Sequence, residues 1–106
     1  MIQVQLEKKG QLVLGFTIRG HAEAGEYGYD IVCSAVSALA ISTANAIEQL
    51  TEAAFDEDAA QDGGFLRFRL RSGEDHDAQV LMKALELGIS QMAASYPDNI
   101  RIVTTF

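Results

Sequence analysis

Apolar and polar residues alternate along the first nineteen positions of the chain. Two apolar runs with a period of two lie on either side of a turn at Gly10: Ile2, Val4 and Leu6, then Leu12, Leu14, Phe16 and Ile18. Successive side chains of a strand point to opposite faces, so each run predicts a strand with one buried face. Residues 2–19 are therefore predicted to form a β-hairpin.

The period changes after residue 30. Apolar or small residues then recur every three or four positions on one predicted helix face: Val32, Val36, Leu39, Thr43, Ala46 and Leu50. This spacing predicts a helix from Ile31 to about Leu50, with Asp30 as its N-cap. Ala35, Ala38 and Ala40 keep this helix slim, so it can pack close to a sheet or to a second copy of the chain.

The second half of the chain repeats this order of elements. A turn at QDGG and the alternation in FLRFRLR predict a second hairpin over residues 53–71. Ser72 is the expected N-cap of a second helix, which should stop before Pro97 because proline disfavours a helical residue in front of it. Ile100, Ile102 and Thr104 alternate in a last strand. The order ββαββαβ predicts one α+β domain over residues 1–106, with two helices packed on a mostly antiparallel sheet.

Composition narrows the class of protein. Eight Lys and Arg against fifteen Asp and Glu give a net charge of -7, so a surface for non-specific nucleic-acid binding is not expected. A single cysteine cannot form an internal disulfide, which suits the cytoplasm. The N-terminus lacks the pattern of a signal peptide, and the stretch from Ile31 to Ile47 reads as too polar and too short for a membrane span.

The only cysteine lies where a nucleophile could be activated. With Asp30 as N-cap, Cys33 would be the third helical residue, near the unpaired N–H groups and the positive end of the helix dipole. That setting favours the thiolate and offers donors around Val32 to Ser34 for an oxyanion. His21, one loop away, is the candidate base. Ser37 lies one turn further along the same helix face.

A structural interpretation competes with this chemistry. A lone cysteine among Ala, Val and Ile is usually a small buried hydrophobe, and the spacing alone favours that interpretation. Asp30 is more readily a cap than a catalytic group, and His76 is expected to be a solvated residue at the start of a helix. One cysteine and two separated histidines do not form a metal-ligand pattern, so neither a metal nor another cofactor is expected.

The segment GHAEAGEYGYDIVCSAVSAL, residues 20–39, resembles the signature of the Prp family, the ribosomal-processing cysteine proteases of bacteria. The family pattern is roughly G-H-A, five residues, then G-x-D-[IL]-V-C-[AS]-[AG]-V-S. It is matched at Gly20, His21, Ala22, Gly28, Asp30, Ile31, Val32, Cys33, Ala35, Val36 and Ser37. The element order and the chain length resemble the family as well. The loop sequence EAGEY and the serine at position 34 are mild departures from the family pattern.

The resemblance implies a cysteine endopeptidase that removes a short, apolar, phenylalanine-containing N-terminal extension from a large-subunit ribosomal protein. Cys33 would attack the scissile carbonyl, and His21 would act as general base and then as acid. Asp30 and Ser37 would support the site. The resemblance also implies a homodimer, and a mobile loop from Ala22 to Tyr29, with Gly25 and Gly28, that admits the substrate.

Two alternatives stay open at this point. The chain could be a non-catalytic dimeric module that binds a ribosome-assembly partner, with Cys33 as packing. It could also be a small-molecule hydrolase or acyl transferase that uses the same Cys–His pair.

Overall fold

The computed structural model describes residues 1–20, 27–60 and 64–106. Its elements follow the order β1 (Ile2–Lys9), β2 (Leu12–Arg19), α1 (Tyr27–Leu50), β3 (Phe55–Ala59), β4 (Phe65–Leu70), α2 (His76–Ser95) and β5 (Ile100–Thr105). The predicted order ββαββαβ and both predicted hairpins are confirmed, and α2 ends before Pro97 as expected.

The five strands form one sheet in the order β3-β4-β2-β1-β5. Three of the strand pairs are antiparallel, and β5 runs parallel to β1. Strand β3 is therefore one edge of the sheet. The apolar side chains that the alternation predicts lie on one buried face of the sheet. Among them, Val4, Phe16 and Phe68 are each at most 1% exposed. The α+β class with helices on a mostly antiparallel sheet is confirmed.

An aromatic stack joins three neighbouring strands on the buried face. The ring of Phe68 in β4 lies between Phe16 of β2, with centroids 5.4 Å apart, and Phe55 of β3, with centroids 5.0 Å apart. Such offset pairs stabilise beyond their buried area. The stack holds the edge strand β3 to the centre of the sheet, although only the first residue of β3 contributes to it.

Helix α1 begins four residues earlier than the sequence predicts, at Tyr27 instead of Ile31. Asp30 is consequently the fourth residue of the helix and not its N-cap. The buried stripe follows the prediction at Val32, Val36 and Thr43, and Leu39 packs against the core while partly exposed. Ala40, Ala44 and Ile47 are buried in addition, whereas Leu50, predicted on this face, is 72% exposed.

The segment Ile31–Leu50 of α1 is long and apolar enough, by length and composition, to cross a membrane. The expectation that it is too short and too polar was wrong, because its alanines, valines and isoleucines outweigh its few polar residues. Its apolar stripe packs into the core of the domain, with Val36, Ala40 and Ile47 fully buried. One side of α1 thus faces the core, whereas Ile31, Ile41 and Leu50 are 49%, 51% and 72% exposed.

Helix α2 is capped by Asp75, whose carboxylate accepts a hydrogen bond from the Ala78 N–H at 2.8 Å. The predicted N-cap, Ser72, lies outside the helix, and its hydroxyl instead accepts a bond from the Glu74 N–H at 3.4 Å. The cap at Asp75 fits the general preference because its oxygen reaches the third N–H of the helix. His76, the first helical residue, is exposed as predicted.

A buried glutamine ties α2 to the sheet. The Gln79 amide accepts a hydrogen bond from the Val13 N–H at 2.9 Å and donates one to the Val13 carbonyl at 3.0 Å. Strand β4 pairs with β2 only from Gly15 onward, so Val13 lies beyond the reach of β4. The side chain of Gln79 therefore substitutes for the missing strand.

We expect Gln79→Leu to lower the free energy of unfolding by about 2–4 kcal/mol, because two buried backbone groups lose their partners. Chemical denaturation monitored by circular dichroism measures this. Gln91→Leu, at an exposed position of the same helix, is the matched control and should change stability by less than about 0.5 kcal/mol. Equal effects of the two variants would contradict the role of Gln79.

Candidate active site

A cavity of about 260 Å³ opens at one end of the sheet. The last residues of β2 and β3, the first residues of β4 and the start of β1 meet at this end, and the middle of α1 lies across them. The residues that line the cavity are mostly apolar: Ile2, Ile18, Arg19, Gly20, Cys33, Val36, Ser37, Ala40, Ile41, Asn45, Glu57, Ala59, Ala60, Gly64, Phe65 and Leu66.

One wall of the cavity is a stripe along α1. Cys33, Ser37, Ile41 and Asn45 follow one another at intervals of four residues, which places them on one face of the helix. The stripe spans three turns, or about 18 Å at 1.5 Å per residue. A wall of that length matches about five residues of an extended peptide at roughly 3.3 Å each.

The opposite wall is the edge of the sheet where β3 ends and β4 begins. Strand β3 follows α1 in the chain and runs back along it, so Ala59 lies toward the Cys33 end of the cavity. Ala59 is opposite Leu66 in the register of the two strands. The small side chains of Ala59 and Ala60 leave space in front of the α1 stripe.

Gly20 determines how the chain leaves β2 at the cavity. Its φ of 71° is in the left-handed region, and a Cβ atom there would lie 2.7 Å from the Met1 carbonyl oxygen. Only glycine meets both conditions without a backbone shift. The Gly20 N–H also donates a hydrogen bond to the Gly64 carbonyl at 3.2 Å, which joins the end of β2 to the start of β4.

Cys33 lies in the second turn of α1, since the helix begins at Tyr27. The expectation that it is the third helical residue was wrong. The N–H groups of Val32, Cys33 and Ser34 follow the first four of the helix and so bond within it. They are not available to an oxyanion, and the influence of the dipole falls off within the first turn. Cys33 is 8% exposed and belongs to the core while it lines the cavity.

The structure describes some of the other predicted site residues and not others. Ser37 lines the cavity one turn after Cys33, as expected. His21 and Gly25 lie outside the described residues; His21 directly follows the cavity residue Gly20 in the sequence. Gly28 and Tyr29, predicted to belong to a loop from Ala22 to Tyr29, lie in α1 instead. Asp30 is in α1 as well, and its side chain is outside the description.

Sequence reasoning missed most of the cavity. Ile41 and Asn45 could have been found from the four-residue spacing that starts at Cys33. Glu57 and Ala59 carried no such signal, because their proximity to α1 depends on β3 being the edge strand. Within the described ranges, no group of three or more His, Cys, Asp or Glu residues is arranged to hold a metal ion.

Comparison with known proteins connects this chain to a family. The model of the family described as "Cysteine protease Prp" matches residues 1–101. The chain belongs to the cysteine protease Prp family. It is thus a cysteine protease, and the alternative of a non-catalytic module was wrong.

Relatives and solved structures agree with this membership. The ribosomal processing cysteine protease Prp of Bacillus subtilis is 32% identical over 113 aligned positions, covering 98% of this chain and 97% of that protein. The Staphylococcus aureus (strain Mu50 / ATCC 700699) Prp is 34% identical over 83 residues, 78% of each chain. The structure of an S. aureus Prp with a covalently linked product peptide has a TM-score of 0.89 at 30% identity, covering 99% of this chain and 100% of that one.

We expect Ala59→Phe to slow the alkylation of Cys33 by iodoacetamide about tenfold, because access to a thiol limits its rate and the new ring would fill the cavity. Intact-mass spectrometry follows the reaction. Ala54→Phe is the matched control, since Ala54 is exposed and does not line the cavity. If the two variants react at the same rate, Cys33 is reached by another route.

Proposed function

We propose that this protease removes a short N-terminal extension from a large-subunit ribosomal protein during ribosome assembly. The observation that carries the proposal is the position of Cys33 at one end of an apolar cavity that matches an extended peptide in length. The S. aureus and B. subtilis relatives are ribosomal processing proteases by name. An apolar extension with phenylalanine fits a cavity lined by Ile2, Ile41 and Leu66.

In the proposed mechanism, Cys33 and His21 share the proton transfers. His21 takes the thiol proton as the Cys33 sulfur attacks the scissile carbonyl carbon, and it then gives that proton to the departing amine. The resulting thioester is attacked by water, with His21 again as the base. The acid product leaves and the thiol is restored. The covalently linked product peptide in the S. aureus relative supports a covalent route.

Asp30 and Ser37 support this pair in the proposal. Ser37 lines the cavity one turn from Cys33, within reach of a bound peptide. Asp30 lies in the turn of α1 before Cys33. The net charge of -7 would favour the approach of a basic ribosomal protein.

We expect Cys33→Ala to reduce cleavage of the extended ribosomal protein at least about a thousandfold, because no thioester can form without the thiol. His21→Ala should cause a loss of similar order, since the two residues act as a unit. Mass spectrometry of the substrate protein measures the removal of the extension. The same protein without its extension is the negative control for the substrate.

Two further measurements separate a catalytic loss from a folding loss. The Cys33→Ala chain should keep the circular dichroism spectrum and the cooperative unfolding of the wild type. The wild-type thiol should alkylate faster near pH 6 than it does in the unfolded chain, and His21→Ala should remove that difference. Cleavage by a folded Cys33→Ala chain would refute the proposed nucleophile.

We further propose that the protein acts as a homodimer in the cytoplasm, where a ribosomal protein is available and conditions keep a thiol reduced. The outer side of α1 supports the dimer. Ile31 and Leu50 are 49% and 72% exposed, and small residues such as Ala38 and Ala46 lie between them. A second copy of the chain would cover this apolar surface.

We expect sedimentation equilibrium to give twice the mass of the chain. Ala38→Arg should shift the protein toward the monomer, because an unpaired charge is costly in an apolar interface. Ala54→Arg, outside α1, is the control and should leave the mass unchanged. A monomeric wild type at micromolar concentration would contradict the dimer.

A further inference from the structure

Strand β3 carries three acidic residues in a row, and the alternation of the strand separates them. Asp56 and Asp58 are opposite Arg69 and Arg67 in the register with β4. Asp56 also forms an ion pair with Arg71 at 2.9 Å. That hydrogen bond with Arg71 lowers the pKa of the Asp56 carboxyl below its ordinary value. These two carboxylates lie on the sheet face that the helices leave open, next to arginines.

Glu57 points to the opposite side of β3. Because side chains alternate along a strand, it shares a face with Phe55, which packs on the core, and with Ala59. It lines the cavity and is exposed. Among the described residues it takes part in no ion pair. Its carboxylate is thus available to a molecule in the cavity.

The carboxylate of Glu57 is one of few charged groups along the described lining of the cavity. Among the described lining residues, the only other charged one is Arg19. Ile18 is buried on the helix side of β2, so Arg19 projects toward the open face, where its guanidinium lies 4.9 Å from the centre of the Phe65 ring. The remaining lining is apolar or small and neutral. A charge among low-dielectric walls attracts an opposite charge more strongly than one on an open surface.

The position of Glu57 along the cavity suits a peptide side chain. Glu57 precedes Ala59 by two residues, about 7 Å of strand, and Ala59 lies toward the Cys33 end. Strand β3 is the edge of the sheet, so an extended peptide can pass along it. A peptide that presents an apolar residue between the walls would bring another of its side chains to Glu57.

We propose that Glu57 is a specificity-determining residue that selects a basic side chain in the peptide substrate. This inference rests on the proposed function, because it concerns the peptide that the protease cleaves. Apolar walls recognise the phenylalanine-containing part, and the carboxylate of Glu57 recognises a Lys or Arg a few residues from the scissile bond.

The test measures binding, so it does not depend on cleavage. A set of fluorescein-labelled peptides shares one apolar, phenylalanine-containing sequence and carries a single Lys, Gln or Glu at each position in turn. Fluorescence anisotropy gives the affinity of each peptide for the Cys33→Ala chain at low salt. At one position, Lys should bind about fivefold more tightly than Gln, the upper range for a partly exposed ion pair.

Substitutions in β3 test whether Glu57 causes the preference for Lys. Adding Glu57→Gln should abolish the preference for Lys at that position, and adding Glu57→Lys should reverse it in favour of Glu. Asp58→Asn is the matched control, because it removes the same charge from the next residue on the other face, and it should keep the preference. The preference should also weaken in high salt.

The outcomes distinguish this inference from the proposed function. If no position prefers Lys, or if Glu57→Gln keeps the preference, the role of Glu57 is refuted whether or not the wild type cleaves. If the preference depends on Glu57 but the wild type does not process the ribosomal protein, the role of Glu57 stands and the proposed function is wrong. If the Cys33→Ala chain binds none of the peptides, both proposals are wrong.

Discussion

The burial of α1 against the sheet is the constraint on which the site depends. Val36, Ala40 and Ile47 are fully buried, and together they fix the rotation of the helix about its axis. Once this stripe is buried, the neighbouring stripe that contains Cys33, Ser37 and Ile41 has only one place to face, which is the cavity beside it. Core packing thereby orients Cys33, the proposed nucleophile.

The sheet contributes the second wall through its own order of strands. Because β3 is an edge strand held by the stack of Phe55 on Phe68, its far end extends past the core and leaves room in front of α1. The hydrogen bond from Gly20 to Gly64 joins β2 to β4 at the same end. Gly20 at the cavity wall is followed in the sequence by His21, the proposed base, while Cys33, the proposed nucleophile, lines the cavity from α1.

Local sequence patterns predicted the helices and strands. The features that these patterns missed depend on contacts between residues that are distant in the sequence. The alternation in residues 2–19 and the period after residue 30 predicted strands and helices that the structure confirms. The predicted helix starts were wrong: Ser72 and Asp30 suit an N-cap by residue type, but α2 is capped by Asp75 and α1 begins at Tyr27. The Gly20–Ser37 motif identified Cys33 and Ser37, but no local pattern could place Glu57 in the cavity, since that follows from the strand order.

The earlier start of α1 changes what can activate the cysteine. A thiol at the third helical residue would gain from the N–H groups and dipole of the helix end, but Cys33 is one turn further in, where that support has largely fallen off. Its N–H and those of its neighbours are bonded within the helix. A nucleophile in this position depends on a side chain that reaches it from outside α1. The sequence offers His21 for that role, so the reactivity of Cys33 is expected to depend on His21 more than on the helix itself.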